Sequence, residues 1–375
     1  MRKAKILHIV GARPNFVKIA PLMDELHRHR SSFTQKLVHT GQHYGSNMSD
    51  PFFKDLNIIR PDHNLNVQSG THAVQTAKMM MRIEPILRKY KPDLVVVVGD
   101  VNSTLAGALT ASKLGIPLAH IESGLRSFDR TMPEEINRLL TDRLSSFLFT
   151  TSPEAKTNLI NEGVSESNIF YTGNIMIDTL FKLRSRWGKS RILNKLGLMN
   201  GKKTMDYILL TLHRPSNVDD KKSLQEVFRA LKAIPCHIPI VYPVHPRTKK
   251  SIQKLGLSGQ MHQIVNMIRI SPLGYLDFMK LMSQSLCVLT DSGGVQEETT
   301  VLDIPCLTLR SNTERPITVT KGTNVLVGTQ SHRMIKEIRD ILDGKKKKGK
   351  IPKYWDGKSA KRIVNVLKQN LASLI

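Results

Sequence analysis

Four consecutive valines, Val95–Val98, run into Gly99-Asp100 and are followed at once by a helical pattern over Thr104–Leu114. A stretch with no polar side must be covered on both faces. That is the situation of a strand in a parallel sheet flanked by helices. The alternation fills the chain. Strands are predicted at Lys5–Val10, Leu37–His39, Asp93–Val98, Pro117–Ile121, Phe147–Thr150 and Ile169–Tyr171, with helices at Pro14–His29, Val74–Tyr90, Thr104–Leu114, Glu134–Leu144 and Pro153–Glu162. After a basic, weakly patterned stretch, Arg184–Asp206, the rhythm restarts. Strands at Tyr207–Leu212, Ile238–Pro243, Met267–Ile270, Leu286–Thr290 and Cys306–Leu309 then alternate with helices at Lys222–Ala233, Tyr275–Ser283 and Val295–Leu302, and helices at Arg333–Leu342 and Ser359–Leu371 close the chain. Two runs of βα units predict an α/β fold of two Rossmann-like, doubly wound parallel-sheet domains, and 375 residues suit two domains. The expected boundaries are 1–183 and 184–356, with a closing helix in 357–375. Ligands of such sheets bind at the carboxyl ends of the strands, so the site is expected in the interdomain cleft.

Lys and Arg total 56 against 31 Asp and Glu, a net charge of +25 that points to an anionic partner. Lys345–Lys348 and the pairs Lys202-Lys203, Lys221-Lys222 and Lys249-Lys250 read as solvated runs. Nucleic-acid binding would want basic residues interleaved with aromatics, and no such motif occurs, so no nucleic-acid partner is expected. No apolar run reaches the roughly 18 residues of a membrane span. The N-terminus lacks the apolar core of a signal peptide, and Cys236, Cys287 and Cys306 are too widely spaced for a disulfide framework or a zinc site. A cytoplasmic protein is expected.

Polar residues gather where the predicted strands end. Gly11-Ala12-Arg13-Pro14 follows the first, Gly99-Asp100 follows the valines, and His120-Ile121-Glu122-Ser123-Gly124 ends the next. In the second half, His213-Arg214 and His245-Pro246-Arg247 end strands, and Asp291-Ser292-Gly293-Gly294 opens a helix. Ser292-Gly293-Gly294 reads as a phosphate cradle, because glycine admits close approach and a helix N-terminus offers free N–H groups and partial positive charge. Glu297 and Glu298 lie one turn further. Adjacent helical residues point about 100° apart, so at most one of them faces a ligand, and a carboxylate there suits the two hydroxyls of a ribose. Asp100, Glu122 and one of Glu134 and Glu135 could converge, with Arg13, Lys18, Arg126 and Arg138 nearby. Neighbouring, partly buried carboxylates push one another's pKa values apart, which supplies an acid and a base. Plainer readings stand beside these. Asp100 could cap the helix before Thr104, Glu134 and Glu135 could serve the helix dipole after Pro133, and His213 and His245 could be structural. No metal-ligand spacing occurs, and neither does a Walker or GxGxxG pattern.

These motifs resemble the non-hydrolysing UDP-N-acetylglucosamine 2-epimerases. The match runs through Gly11–Pro21, Thr40–His43, Gly99–Leu105, His120–Arg130, Met132–Asp142, Thr172–Asp178, Leu212–Arg214, Val244–Arg247, Asp291–Glu298 and Thr313–Pro316, which covers nearly the whole chain. The resemblance implies a glycosyltransferase-B type fold whose last helix returns to the first domain. It implies reversible inversion at C2 of the sugar, giving UDP-N-acetylmannosamine by anti elimination of UDP to 2-acetamidoglucal and re-addition, with no cofactor. Asp100, Glu122 and Glu134 then match the acid/base carboxylates and His213 the active-site histidine. Arg13, Ser292, Gly293 and Gly294 match diphosphate contacts and Glu298 the ribose contact. Lys18, Arg138, His245, Arg310 and Arg315 match positions around the ligand, and Gln42, His43 and Arg214 match an allosteric site for a second UDP-N-acetylglucosamine. A homodimer serving cell-surface polysaccharide synthesis is also implied. The chain departs from the family at Ser216, where a Glu is usual, and at Ser123 and Thr299-Thr300, where Ala is common. Two other readings share the fold: a 2-epimerase of a related nucleotide sugar, such as a UDP-2,3-diacetamido-glucuronic acid, and a glycosyltransferase.

Overall fold

The computed structural model describes residues 2–41, 55 and 60–371. The chain forms two compact units, Met1–Lys182 with Lys353–Ile375, and Leu183–Pro352. In the first unit seven strands lie in the order β3-β2-β1-β4-β5-β6-β7. They are β1 (Ala4–Val10), β2 (Phe33–His39), β3 (His63–Asn64), β4 (Leu94–Val98), β5 (Leu118–Ser123), β6 (Phe147–Thr150) and β7 (Ile169–Tyr171), all parallel. The helices between them are α1 (Arg13–Arg28), α2 (His72–Tyr90), α3 (Asn102–Lys113), α4 (Pro133–Leu144), α5 (Pro153–Asn161) and α6 (Ile175–Lys182). The valines of β4 are fully buried, and Val95 and Val97 join Leu7, Ile9, Met79, Ile83, Ala106 and Ala108 in one core. Each of the larger side chains contributes about 1.5–3 kcal/mol by leaving water. Strand order reverses between β1 and β4, so the loops after these two strands diverge to opposite faces and leave a crevice at their carboxyl ends.

The second unit repeats the plan. A two-stranded hairpin, β8 (Met199–Asn200) and β9 (Lys203–Thr204), precedes a six-stranded parallel sheet in the order β12-β11-β10-β13-β14-β15. Its strands are β10 (Ile208–Thr211), β11 (Ile240–Pro243), β12 (Met267–Ile270), β13 (Cys287–Thr290), β14 (Cys306–Thr308) and β15 (Asn324–Leu326). The principal helices are α7 (Lys221–Lys232), α8 (Pro246–Lys254), α9 (Tyr275–Gln284), α10 (Gly293–Leu302) and α11 (Ser331–Leu342). Asp220 caps α7 by accepting from the Ser223 N–H at 2.7 Å. Leu224, Val227, Phe228 and Leu231 of α7 pack with Met334, Ile338 and Ile341 of α11 in the core of this unit. Here the order reverses between β10 and β13.

The closing helix, α12 (Ser359–Leu371), belongs to the first unit and buries Ile363, Val364, Leu367 and Leu371. Asp178 of α6 receives its first N–H groups, Ser359 at 3.1 Å and Ala360 at 2.8 Å. Trp355, also buried, donates to the Thr151 carbonyl at 2.9 Å. Among the described residues no helix is long and apolar enough to cross a membrane.

The structure adds helices the sequence reading did not predict, among them Ile175–Lys182 and Pro246–Lys254, and differs from it further in three places. Arg184–Asp206 is ordered, with helical turns at Arg184–Gly188 and Ile192–Lys195 anchored by buried Trp187, Ile192 and Leu193. Three apolar anchors among basic residues are too sparse to register as a period. The edge strands β3 and β15 were not expected, being too short to show alternation. The run Lys345–Lys348 is not wholly solvated either. Lys347 donates to the carbonyls of Asn324 (2.9 Å) and Val319, which ties the run to β15, and burial lowers its pKa.

Candidate active site

In the first unit the switch point gathers the carboxylates. Lys18, on the buried side of α1, forms an ion pair with Glu122 at the end of β5, and both side chains are almost fully buried. Glu122 has a left-handed backbone (φ +73°) inside a register shift between Ile121 and Ser123. For a non-glycine residue that is strain held in place by the surroundings, of the kind that collects at functional sites. Gly99 lies against this pair. A Cβ there would sit 3.4 Å from Glu122 Oε2 and 3.5 Å from Lys18 Nζ, and its φ of +70° turns the chain so that Asp100 follows directly. Asp100 pairs with Arg138 of α4. It does not cap α3, which starts after Val101 without any side-chain cap.

Arg138 also grips Glu135, donating from Nε at 3.0 Å. Buried Glu135 accepts the Ser127 N–H and hydroxyl, each at 2.9 Å, and the Phe128 N–H at 3.0 Å. Burial alone would raise its pKa, but the Ser127 N–H and Arg138 outweigh it and hold the carboxyl below its ordinary value. Glu135 is therefore the residue that secures the loop, and Glu134, its neighbour in the first turn of α4, is half-buried.

Behind β5 lies a second buried network. His120 faces Asp142 from Nδ1 (2.6 Å) and the Gly99 carbonyl from Nε2 (2.8 Å). Asp142 also accepts from the Gly124 N–H at 3.0 Å and pairs with Arg126 at 2.7 Å, and Arg126 forks onto Glu162. Burial pushes the Asp142 carboxyl up, yet His120 and Arg126 together hold it low. This network clamps both flanks of Glu122.

In the second unit, Asp291 at the end of β13 is fully buried and holds His213, the residue after Leu212, through Nδ1 at 3.0 Å. The same carboxylate accepts the N–H groups of His213 (3.0 Å) and Arg214 (2.8 Å), and burial's upward push is overcome by His213 and these bonds, so its pKa lies low. With Nδ1 committed, His213 presents Nε2 from a side chain 38% exposed. His245 stands beside it, ring centroids 5.8 Å apart, and caps α8 by accepting the Arg247 N–H at 3.3 Å.

Helix α10 begins at Gly293, and its N-cap, Ser292, makes no side-chain capping bond, so its first N–H groups keep their anion-binding character. Gly293 has a reason beyond ligand approach: a Cβ would fall 2.3 Å from Arg315 Nη1. Arg315 pairs with Glu297 (3.0 Å) and Glu314 (2.6 Å), and Glu314 also takes Arg310 (2.8 Å) and Arg214 (3.5 Å). Three guanidinium groups thus meet two buried carboxylates beside the helix N-terminus. Glu298 accepts the Tyr275 hydroxyl at 3.0 Å, so Glu297 and Glu298 do face different partners. Arg13 opens α1, half-buried, and burial lowers its pKa.

Each unit thus brings its own expected residues together: Lys18, Asp100, Glu122 and Arg138 in the first, and Arg214, His213, Arg310, Arg315 and Ser292–Gly294 in the second. Gln42 and His43 lie outside the described residues. The sequence reading assigned no role to Asp291, Asp142 or His120, weighed Glu297 only as an alternative to Glu298 at a ribose, and placed Glu314 only within a segment near the ligand. Asp142 carried a signal, since an acid in the last turn of a helix opposes the dipole and needs a cation. Glu314, between Arg310 and Arg315, carried another.

Fold and site define a doubly wound α/β protein with buried carboxylate–cation pairs at one switch point and a helix N-terminus flanked by guanidinium groups at the other. The chain matches the model of the UDP-N-acetylglucosamine 2-epimerase family over residues 24–368. It is 45% identical over 370 residues to the UDP-N-acetylglucosamine 2-epimerase of Methanocaldococcus jannaschii, covering 97% of this chain and 98% of that one. It is 42% identical over 366 residues to the UDP-2,3-diacetamido-2,3-dideoxy-D-glucuronate 2-epimerase of Pseudomonas aeruginosa, covering 97% and 99%. The crystal structure of the M. jannaschii UDP-GlcNAc 2-epimerase in complex with UDP-GlcNAc and UDP superposes with a TM-score of 0.89 at 43% identity, over 98% of this chain and 100% of that one. The chain belongs to the UDP-N-acetylglucosamine 2-epimerase family, which are isomerases.

Proposed function

We propose that this protein interconverts UDP-N-acetylglucosamine and UDP-N-acetylmannosamine by eliminating UDP to 2-acetamidoglucal and adding it back. One observation carries the reading: Asp100 and Glu122 end neighbouring strands, each against a buried cation. The C2 proton is not adjacent to a carbonyl, so it becomes removable only as the C1–O bond breaks and UDP carries off the electron pair. A carboxylate of the set Asp100, Glu122 and Glu134 takes that proton, and another group of the set returns one to the opposite face. Charge developing on the departing diphosphate is met by Arg13, His213 and the N–H groups of Ser292, Gly293 and Gly294. Arg310 and Arg315 act through Glu314, holding guanidinium groups at the cradle, and Glu298 takes the ribose hydroxyls. The C2 configuration inverts while UDP returns to C1, so the reaction balances without a co-reactant.

The identity to the P. aeruginosa enzyme supports a second reading, the same inversion on a 2,3-diacetamido uronic acid nucleotide. The proposal also includes a cytoplasmic homodimer that serves surface polysaccharide synthesis, and Lys18, Arg138 and His245 as ligand-proximal groups. Incubation with UDP-N-acetylglucosamine alone, followed by proton NMR, tests it. A second UDP-N-acetylhexosamine is expected without any acceptor. No conversion of this nucleotide, with conversion of the diacetamido uronate, would replace the first reading by the second, and no conversion of either would remove both.

A further inference from the structure

Phe128 lies in the loop between β5 and α4 with a left-handed backbone, φ +59°, and 78% of its surface exposed. Either feature alone is unfavourable for phenylalanine. The left-handed region suits glycine and asparagine, and an exposed ring leaves apolar surface in water. Among the described residues, no other large exposed apolar side chain carries a left-handed backbone.

The conformation is imposed. The Phe128 N–H donates to Glu135 Oε1 at 3.0 Å, while Ser127 donates twice to Oε2. Thr131 closes the next turn onto Asp129 at 3.0 Å from its N–H. Glu135 is held in turn by Arg138, and Arg138 also pairs with Asp100. One carboxylate and one guanidinium therefore connect the strained loop to the acid/base cluster, and the same residues that order the cluster force the ring outward. Strain and exposure at one residue, enforced by active-site groups, call for an occupant that covers the ring.

We propose that Phe128 is a substrate contact whose ring stacks on the C–H face of the sugar in the bound nucleotide sugar. An aromatic face is electron-rich, so it accepts the polarised C–H bonds of a pyranose and gives no attraction to the diphosphate. Stacking would set the tilt of the sugar against Asp100 and Glu122. The inference rests on the proposed nucleotide-sugar reaction.

The test uses the full chain with Phe128→Asn and Phe128→Tyr, measuring thermal unfolding, UDP binding by calorimetry and epimerisation kinetics. Asparagine tolerates the left-handed backbone, so its midpoint should be no lower than wild type, with UDP affinity unchanged. Its kcat/KM for the nucleotide sugar should fall about tenfold or more, the loss of one buried apolar contact. Phe128→Tyr keeps the face and should stay close to wild type. Phe128→Asn with wild-type kcat/KM would overturn the proposal. So would loss of UDP affinity in step with the sugar nucleotide, or a change in molecular mass with normal kinetics, which would put the ring in a protein contact. Wild-type protein that binds no UDP-N-acetylglucosamine would overturn the reaction and this contact with it, and the wild-type arm reads that case separately.

Discussion

Asp291 Oδ1 holds His213 Nδ1 at 3.0 Å while Oδ2 takes the backbone N–H groups of His213 and Arg214. One buried carboxylate thereby fixes the ring's tautomer, its orientation and the turn that carries it. In Asp291→Asn the amide must point its NH2 at one of these donors, so the histidine loses its alignment. Turnover should fall about 10²-fold or more, as for other carboxylates that orient a reacting histidine. Steady-state kinetics checks this, and near-normal kcat would show that His213 needs no orienting partner.

Lys18 and Glu122 are both shielded from water. Lys18→Met conserves bulk but removes the cation facing a buried carboxylate, and breaking such a pair from one side costs about 3–5 kcal/mol. Chemical denaturation should show that loss. A change within experimental error would mean that Glu122 is neutralised or solvated by another route.

Asp178 gives the first unit a pH dependence. Burial pushes its carboxyl up to about 6, against the pull of the Ala360 and Ser359 N–H groups. The folded state therefore binds a proton that the unfolded chain has released above about pH 4. Its contribution is full below pH 4 and is lost as pH rises through 6, about 3 kcal/mol for a two-unit shift. Asp178→Asn should remove this slope, so that the variant gains stability relative to wild type between pH 4.5 and 7. Parallel stability curves for the two proteins would contradict it.

Gly293→Ala places a methyl group 2.3 Å from Arg315 Nη1 and 2.9 Å from Glu314 Oε1. Arg315 is pinned by Glu314 and Glu297, so relief requires breaking a charged contact worth about 1.5–3 kcal/mol. UDP affinity should fall about tenfold or more by calorimetry. Unchanged affinity would detach the arginine cluster from the cradle.

The parallel sheets are legible in the sequence because Val95–Val98 has no polar face and Gly99-Asp100 marks where it ends. The candidate carboxylates follow from the same strand-end rule. Which of Glu134 and Glu135 is buried does not. Neighbours on one helix differ by a fixed rotation, and only the contacts of Glu135 with Ser127 and Arg138 decide between them. Asp142 and His120 stand 22 residues apart, and Asp291 and His213 stand 78 apart, so no local pattern links them. The strain at Glu122 and Phe128 is equally silent, because neither residue type predicts a positive φ.

The elimination mechanism demands that the hydrogen at C2 of the product come from solvent and that UDP and 2-acetamidoglucal be its intermediates. The protein is incubated with UDP-N-acetylglucosamine in deuterated water and the product is read by proton NMR. The expected result is deuterium at C2 of the UDP-N-acetylmannosamine formed, with slow appearance of UDP and 2-acetamidoglucal. Epimer that retains protium at C2 would contradict the account.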